Sequence, residues 1–271
     1  KYFLPFIDAI KYNSSPQRYE EYFKHEEKDK IINSTDNQGN GALHYAIKHN
    51  NINAVHLLLQ ESNIDVNLNG ENDKTPIHLA AQSCNREILM ELLNNPTIDL
   101  EKKDDNGNLA IHDAAEYNWA EGFLNITRRM ATKRKEMCGL LQIISSIDNI
   151  IFTKNQMGLC CFHVAAIKNC AEIFDCIEKK YPMIASKIYE YQSGLTGYTV
   201  LHYLAMCGHS KLLEKILMNH PAIKIDIEGI DPIVSPLYLA SHFNHENCVI
   251  VLIKHGANIQ KLVKKQKDIK S

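Results

Sequence analysis

The chain has 271 residues, 45% of them hydrophobic, which is enough to bury a substantial core and too apolar for general disorder. A formal charge of -2 excludes a global field for gripping DNA or an acidic membrane, so any electrostatic partner must be met by a local patch. No apolar run approaches the roughly 20 residues that span a bilayer, and Lys1-Tyr-Phe-Leu-Pro5 lacks both an initiator Met and the pattern of a signal peptide.

In chain order, Phe3 to Lys11 reads as a short apolar-periodic helix, and Ser15 followed by Pro16 signals a second helix running toward Lys30. One tetrapeptide slot then recurs: Gly41-Ala-Leu-His44, Thr75-Pro-Ile-His78, Leu109-Ala-Ile-His112, Cys160-Cys-Phe-His163, Thr199-Val-Leu-His202 and Ser235-Pro-Leu-Tyr238. Thr75 can cap a helix with its hydroxyl, and Pro76 then falls at the first helical position, where a missing N–H costs nothing. Small residues follow (Ala46, Ala80-Ala81, Ala114-Ala115, Ala165-Ala166, Ala205, Ala240), as close helix packing requires. After a polar break comes a second helix rich in Leu and Ile, as in Ile52 to Leu59, Glu87 to Leu93, Lys211 to Met218 and Cys248 to Ile253. Gly39, Gly107, Gly158 and Gly197 stand two residues before the slot and supply the positive φ of a tight turn, whereas Asp73 holds that place in the second unit. His255-Gly-Ala-Asn258 closes the last helix with a glycine cap.

Two intervals are too long. Between His112 and His163, Phe123, Met130, Met137 and Ile144 recur every seven positions, with Ile126, Leu140 and Ile147 nearby. That amphipathic stripe predicts a lengthened outer helix or an added one over 119–152, packed along the array. Its cations, Arg128, Arg129, Lys133, Arg134 and Lys135, are expected to face solvent as a basic patch. In the fourth unit the excess lies around Tyr181-Pro-Met-Ile, where Pro182 opens an extra short helix.

A period of about 33 residues with a T-P-L-H-x-A core resembles the ankyrin repeat, and the resemblance covers residues 36–260. It implies an all-α solenoid with short β-hairpin-like turns between helix pairs. The expected units are 36–69, 70–103, 104–154 with the helical insertion 119–152, 155–193, 194–229 and 230–260. A helical cap or degenerate repeat over 1–35 precedes them, and a lysine-rich tail or linker over 261–271 follows, both ends being expected to be cut from a longer protein. The resemblance also implies that the recurrent imidazoles bond around the threonine slot and that a partner lies in the concave groove. Carried over slot by slot, the candidate contacts are Asn37, Gln38, Asn40 and Lys48, then Glu71, Asn72 and Lys74, then Asp105, Asn106, Asn108 and Tyr117, then Met157 and Leu159, then Tyr198. Tyr117, Met157, Leu159 and Tyr198 stand out as apolar groups at exposed tips.

No constellation reads as an active site. The five histidines occupy one equivalent slot in successive repeats, which places them about a repeat apart rather than around one centre. Cys160, Cys161 and His163 form no CxxC pair with a second ligand pair at zinc-finger distance. There is no GxGxxG, GxxxxGK[ST] or HExxH motif. The acid pairs Glu20-Glu21, Glu26-Glu27 and Asp104-Asp105 are expected to be solvated. The eight cysteines follow no framework and read as small buried thiols in a reducing cytosol. No catalytic residue, metal or cofactor is expected.

The reading is a non-catalytic, cytoplasmic module that binds a protein partner. The Lys-, Asn- and Ile-heavy composition suggests an AT-rich genome, and the ankyrin resemblance then implies a host-directed effector, as ankyrin arrays in such genomes often are. Two alternatives stand beside it: a regulatory or targeting domain of an enzyme whose catalytic domain lies outside these residues, and lipid or nucleic-acid binding through the basic segment.

Overall fold

A computed structural model describes residues 3–12, 22, 24, 28–138, 143–231 and 234–260. Of the helix expected from Ser15 toward Lys30 only residues 22, 24 and 28–30 are described, and the acid pairs at 20–21 and 26–27 and the tail 261–271 lie outside the described residues. Two compact units divide the chain, Lys1–Ile143 and Ile144–Ser271.

In the first unit, α1 (Phe3–Lys11) and α2 (Lys28–Ile32) precede three helix pairs. These are α3 (Ala42–Lys48) with α4 (Ile52–Gln60), α5 (Pro76–Ser83) with α6 (Arg86–Asn94), and α7 (Ala110–Glu116) with α8 (Ala120–Cys138). The inner helices α3, α5 and α7 stack on one another, the outer helices form a second layer, and α1 packs on α3. The second unit repeats the scheme with α10 (Cys161–Ile167) and α11 (Ala171–Lys180), α13 (Val200–Met206) and α14 (Ser210–Asn219), and α15 (Pro236–His242) and α16 (Glu246–Lys254). The additional helices α9 (Ile143–Ile151) and α12 (Pro182–Glu190) complete it. Among the described residues the only β pairing outside helices is the isolated bridge Thr35–Gly41, so the all-α architecture is as expected.

The sequence rules for each pair are local. Inner helices start from an extended slot residue, with Pro76 and Pro236 at first-turn positions, and Pro182 opens the additional helix α12 in the same way. They end on a residue in the left-handed region: Asn50, Cys84, Asn118, Asn169, Gly208 and Asn244 have φ between 53° and 78°. Asparagine and glycine tolerate that conformation best, and it turns the chain back into the outer helix. Ala46, Ala80, Ala114, Ala165, Ala205 and Ala240 are completely buried where inner helices meet. Leu58, Ile88, Leu89 and Leu92 in the first unit, and Ile173, Leu213, Ile216 and Leu252 in the second, fill the space between layers, each worth about 1.5–3 kcal/mol of burial.

The long interval is resolved as both expected forms: α8 is an outer helix of 19 residues, and α9 is separate. Phe123, Ile126, Met130 and Ile147 of the stripe are buried. Leu140 and the side chains of Met137 and Ile144 lie outside the described residues. Gly122 lets α8 start tightly, because a Cβ there would stand 2.1 Å from the Trp119 ring.

Candidate partner-binding surface

The recurrent histidines build the frame on which the hairpin tips rest. The backbone N–H of the slot residue donates to the imidazole Nδ1 at Gly41–His44, Thr75–His78, Leu109–His112, Cys160–His163 and Thr199–His202, over 3.1–3.2 Å. On the far side Nε2 donates to a carbonyl near the next hairpin: Lys74 for His44, Asn108 for His78, Tyr191 for His163 and Val234 for His202. Nδ1 meets a donor and Nε2 meets an acceptor, so the neutral Nε2–H tautomer is the one that satisfies both. Burial pushes His44 and His78 below the ordinary imidazole value and His202 down to about 4.

Above this frame, one short polar side chain organises the turn in three of the repeats. Asp36 Oδ1 accepts from the N–H groups of Gln38 and Asn40, Asp104 Oδ1 from Asn106 and Asn108, and Asn155 Oδ1 from Met157 and Leu159. Neighbouring tips are joined by backbone bonds, Asp105 N–H to Asn72 O, Gly194 N–H to Gly158 O and Ile230 N–H to Thr196 O. Gly158 has φ +71°, and a Cβ on it would lie 2.8 Å from the Gly194 backbone, so both the turn and the approach demand glycine.

This geometry sorts the candidate contacts. Asn37, Gln38, Glu71, Asn72, Asp105, Asn106, Tyr117 and Met157 are exposed, and exposed Lys48 pairs with Glu71 at 3.0 Å. The residue just before the slot turns inward instead. Asn40 and Leu159 are buried, and Lys74, Asn108 and Tyr198 are half-buried. The carbonyls of Lys74 and Asn108 are the acceptors of the preceding histidines, so the peptide is drawn under the tip and the side chain goes with it. Leu159 is therefore core, and Tyr198 lies parallel to His202 with ring centres 5.0 Å apart. Two exposed apolar tips escaped the sequence reading, Leu195 and Ile230, although each stands beside a tip glycine that could have drawn notice.

Lys74 is committed to the fold. Its Nζ lies 2.9 Å from both Asp104 and Asp113 of the next repeat, and Gln82 donates to the same Asp113 oxygen at 2.7 Å. Asp104 is thus buried rather than solvated. Burial alone would lower Lys74, but the attraction of Asp113 and Asp104 outweighs it and holds the ammonium above its usual value. Burial raises Asp113, whose Oδ2 has no hydrogen-bond partner, whereas Lys74 and the Asn108 amide overcome burial at Asp104 and lower it.

The expected solvent-facing patch is also corrected. Arg129 Nε donates to Leu93 O at 3.1 Å, while Lys133 Nζ donates to Ile98 O and, at 3.3 Å, to Pro96 O. Arg129 reaches back to the carbonyl end of α6, where a helix carries partial negative charge, and Lys133 to the carbonyls of the chain that follows it. Arg128 is exposed, and the side chains of Arg134 and Lys135 lie outside the described residues.

Cys84, Cys160, Cys161, Cys170, Cys176, Cys207 and Cys248 are free thiols. Burial pushes Cys160 up to about 11 and Cys161 well above its usual range, away from thiolate chemistry. Cys84 is an exception to the buried reading, being exposed at the cap of α5. Among the described residues no helix is long and apolar enough to cross a membrane, and no group of three His, Cys, Asp or Glu could hold a metal.

Family models for ankyrin repeats match residues 25–80, 72–105 and 162–262. The chain belongs to the ankyrin-repeat family. The human transient receptor potential cation channel subfamily A member 1 is a curated relative, 33% identical over 101 residues. That alignment takes in 37% of this chain and 9% of the channel, so the chain spans a small part of that relative's length. Among solved structures, the ankyrin repeat domain of Bcl-3, a member of the IkappaB family, superposes with a TM-score of 0.62 at 19% identity, covering 82% of this chain and 88% of that one. An ankyrin repeat domain from Acinetobacter baumannii AYE gives 0.50 at 18% identity over 94% and 98% of the two chains. At those identities the likeness is one of fold. Ankyrin repeats are generally protein–protein interaction modules and typically non-catalytic.

Proposed function

We propose that this chain is a non-catalytic binding module whose hairpin tips and inner-helix ends hold a protein partner. One observation carries the reading. Beneath the tips at 36–40, 104–108 and 155–159 the Asp36, Asp104 and Asn155 side chains satisfy the backbone, and the histidines bond the carbonyls at the bases of neighbouring hairpins, so the exposed tip side chains there sit on a rigid base without being needed to build it. Pre-ordered groups lose little freedom on binding. The units at 36–69, 70–103, 104–154, 155–193, 194–229 and 230–260, with a cap over 1–35 and a linker over 261–271, are part of this reading.

Free thiols support a reducing cytosol as the place of action, and the composition supports a host-directed effector. The small share of the channel that aligns supports a targeting or regulatory role within a larger protein. The reading through the basic segment is weakened, because Arg129 and Lys133 are spent on carbonyls.

The test is affinity capture on the immobilised chain beside a variant carrying Asn37→Lys, Gln38→Lys, Asn72→Lys and Asn106→Lys. Saturable capture of a defined protein set that the wild type shows and the variant loses, with both folded by circular dichroism, is the expected result. Equal capture by both would remove the first unit's tips from the binding surface, and no saturable capture at all would sink the reading.

A further inference from the structure

Three large apolar side chains stand on consecutive hairpin tips of the second unit. Met157, Leu195 and Ile230 are 62%, 67% and 68% exposed. Hairpins of this kind do not need them, since Gln38, Asn72 and Asn106 occupy tips of the first unit. Apolar groups held in water in a row mark a surface that gains by being covered.

The base of this row is stiff. Gly194 N–H donates to Gly158 O at 2.7 Å and Ile230 N–H to Thr196 O at 2.8 Å. A Cβ on Gly197 would come within 2.7 Å of the Ile230 nitrogen, so the tips touch through bare backbone and the side chains ride above it. Because these main-chain groups already pair with each other, an extended peptide laid along the ridge would gain no ladder from them. A helix satisfies its own backbone and needs only an apolar face. Neighbouring repeats stack at about 10 Å, and a helix advances about 10.5 Å in seven residues, so positions i, i+7 and i+14 match three tips.

Charge sets the direction. At the Met157 end stands Lys154, its Nζ 4.9 Å from the centre of the Tyr191 ring and its chain running beside Gly194. Residues 192–198 carry no charge, and Glu228 and Asp231 flank Ile230 at the other end. Acidic residues favour the N-terminal turn of a helix and basic ones the C-terminal turn.

We propose that the Met157–Leu195–Ile230 ridge receives an amphipathic helix of a protein partner, its acidic N-terminal turn at Lys154 and its basic C-terminal turn at Glu228 and Asp231. This rests on the protein-binding reading above and names the class of partner.

The experiment selects binders to the full chain from a phage-displayed library of 21-residue peptides randomised within an Ala/Glu/Lys helical frame. Enriched peptides should carry apolar residues seven apart, with acidic residues first and basic residues last. Their affinity, read by fluorescence anisotropy, should fall at least tenfold on a Met157→Ser, Leu195→Ser, Ile230→Ser variant and severalfold on Lys154→Glu. Should the triple variant melt early, Leu195→Gln alone decides, with at least a threefold loss expected. Enriched peptides that bind the ridge variants as tightly as wild type overturn the proposal. If those peptides instead lose affinity on variants of the Asn37, Gln38, Asn72 and Asn106 tips, the binding-module reading stands and the ridge falls. A selection that yields no saturable binder counts against both.

Discussion

His78 Nε2 donates to the carbonyl oxygen of Asn108 over 3.1 Å, thirty residues further along the chain. The same imidazole receives the N–H of Thr75 and lies 2.8 Å from the Thr75 hydroxyl, so one side chain closes the start of α5 and fastens it to the following hairpin. Removing it leaves the buried Thr75 N–H without its partner and takes from the Asn108 carbonyl one of two donors, the other being the Asp104 N–H. We expect His78→Ala to destabilise the chain by about 1–3 kcal/mol. Hydrogen exchange should show the loss spreading to the adjoining repeats of the first unit, because each repeat is held by its neighbours. An unchanged melting temperature would deny the histidine its structural role.

Stability should fall with acid in a defined window. The folded value of His202 is about 4, below the ordinary 6.5, because burial opposes its charge. The unfolded chain therefore takes up the proton first, and the contribution is whole above pH 6.5 and lost as pH falls toward 4. For His202 alone this amounts to something on the order of 3 kcal/mol. Urea midpoints between pH 7.5 and 4 should drop more steeply for wild type than for His202→Gln. Parallel curves would show that the histidine does not titrate in that range.

Lys74 bridges two acids of the next repeat, one of which, Asp113, already carries a buried oxygen with no hydrogen-bond partner. Lys74→Met strands both carboxylates and should cost about 3–5 kcal/mol, the scale of a broken buried pair. A double-mutant cycle with Asp113→Ala should return a coupling of about 1 kcal/mol or more. A coupling of zero would mean that the two groups act independently.

Arg129 holds the carbonyl end of α6 through Leu93 O, and Lys133 holds the chain just after it through Pro96 O and Ile98 O. Replacing either by Ala should destabilise by about 0.3–1 kcal/mol, and the effect should shrink in high salt. Arg128→Ala, on an exposed side chain, should leave the melt unchanged. Equal behaviour of all three would restore the picture of a purely solvated basic face.

The repeat was legible because its signals are local. Thr75 and Pro76 open a helix wherever they stand, Gly39 and Gly107 permit a turn through their own lack of a side chain, and Pro182 starts α12 for the reason any proline starts a helix. The stripe through Phe123 and Met130 likewise declared a buried helical face by spacing alone. What the candidate surface would present was decided elsewhere. Asn40 and Leu159 turn inward with the peptide drawn beneath the tip, and Lys74 and Arg129 are consumed by groups some thirty residues away. Leu195 and Ile230 become a ridge with Met157 only when backbone bonds set their tips side by side. A residue's own torsions are set by its sterics and by its immediate neighbours. Whether its side chain meets water, a carboxylate or a carbonyl depends on what the adjoining repeat brings to that point, and only packing supplies that.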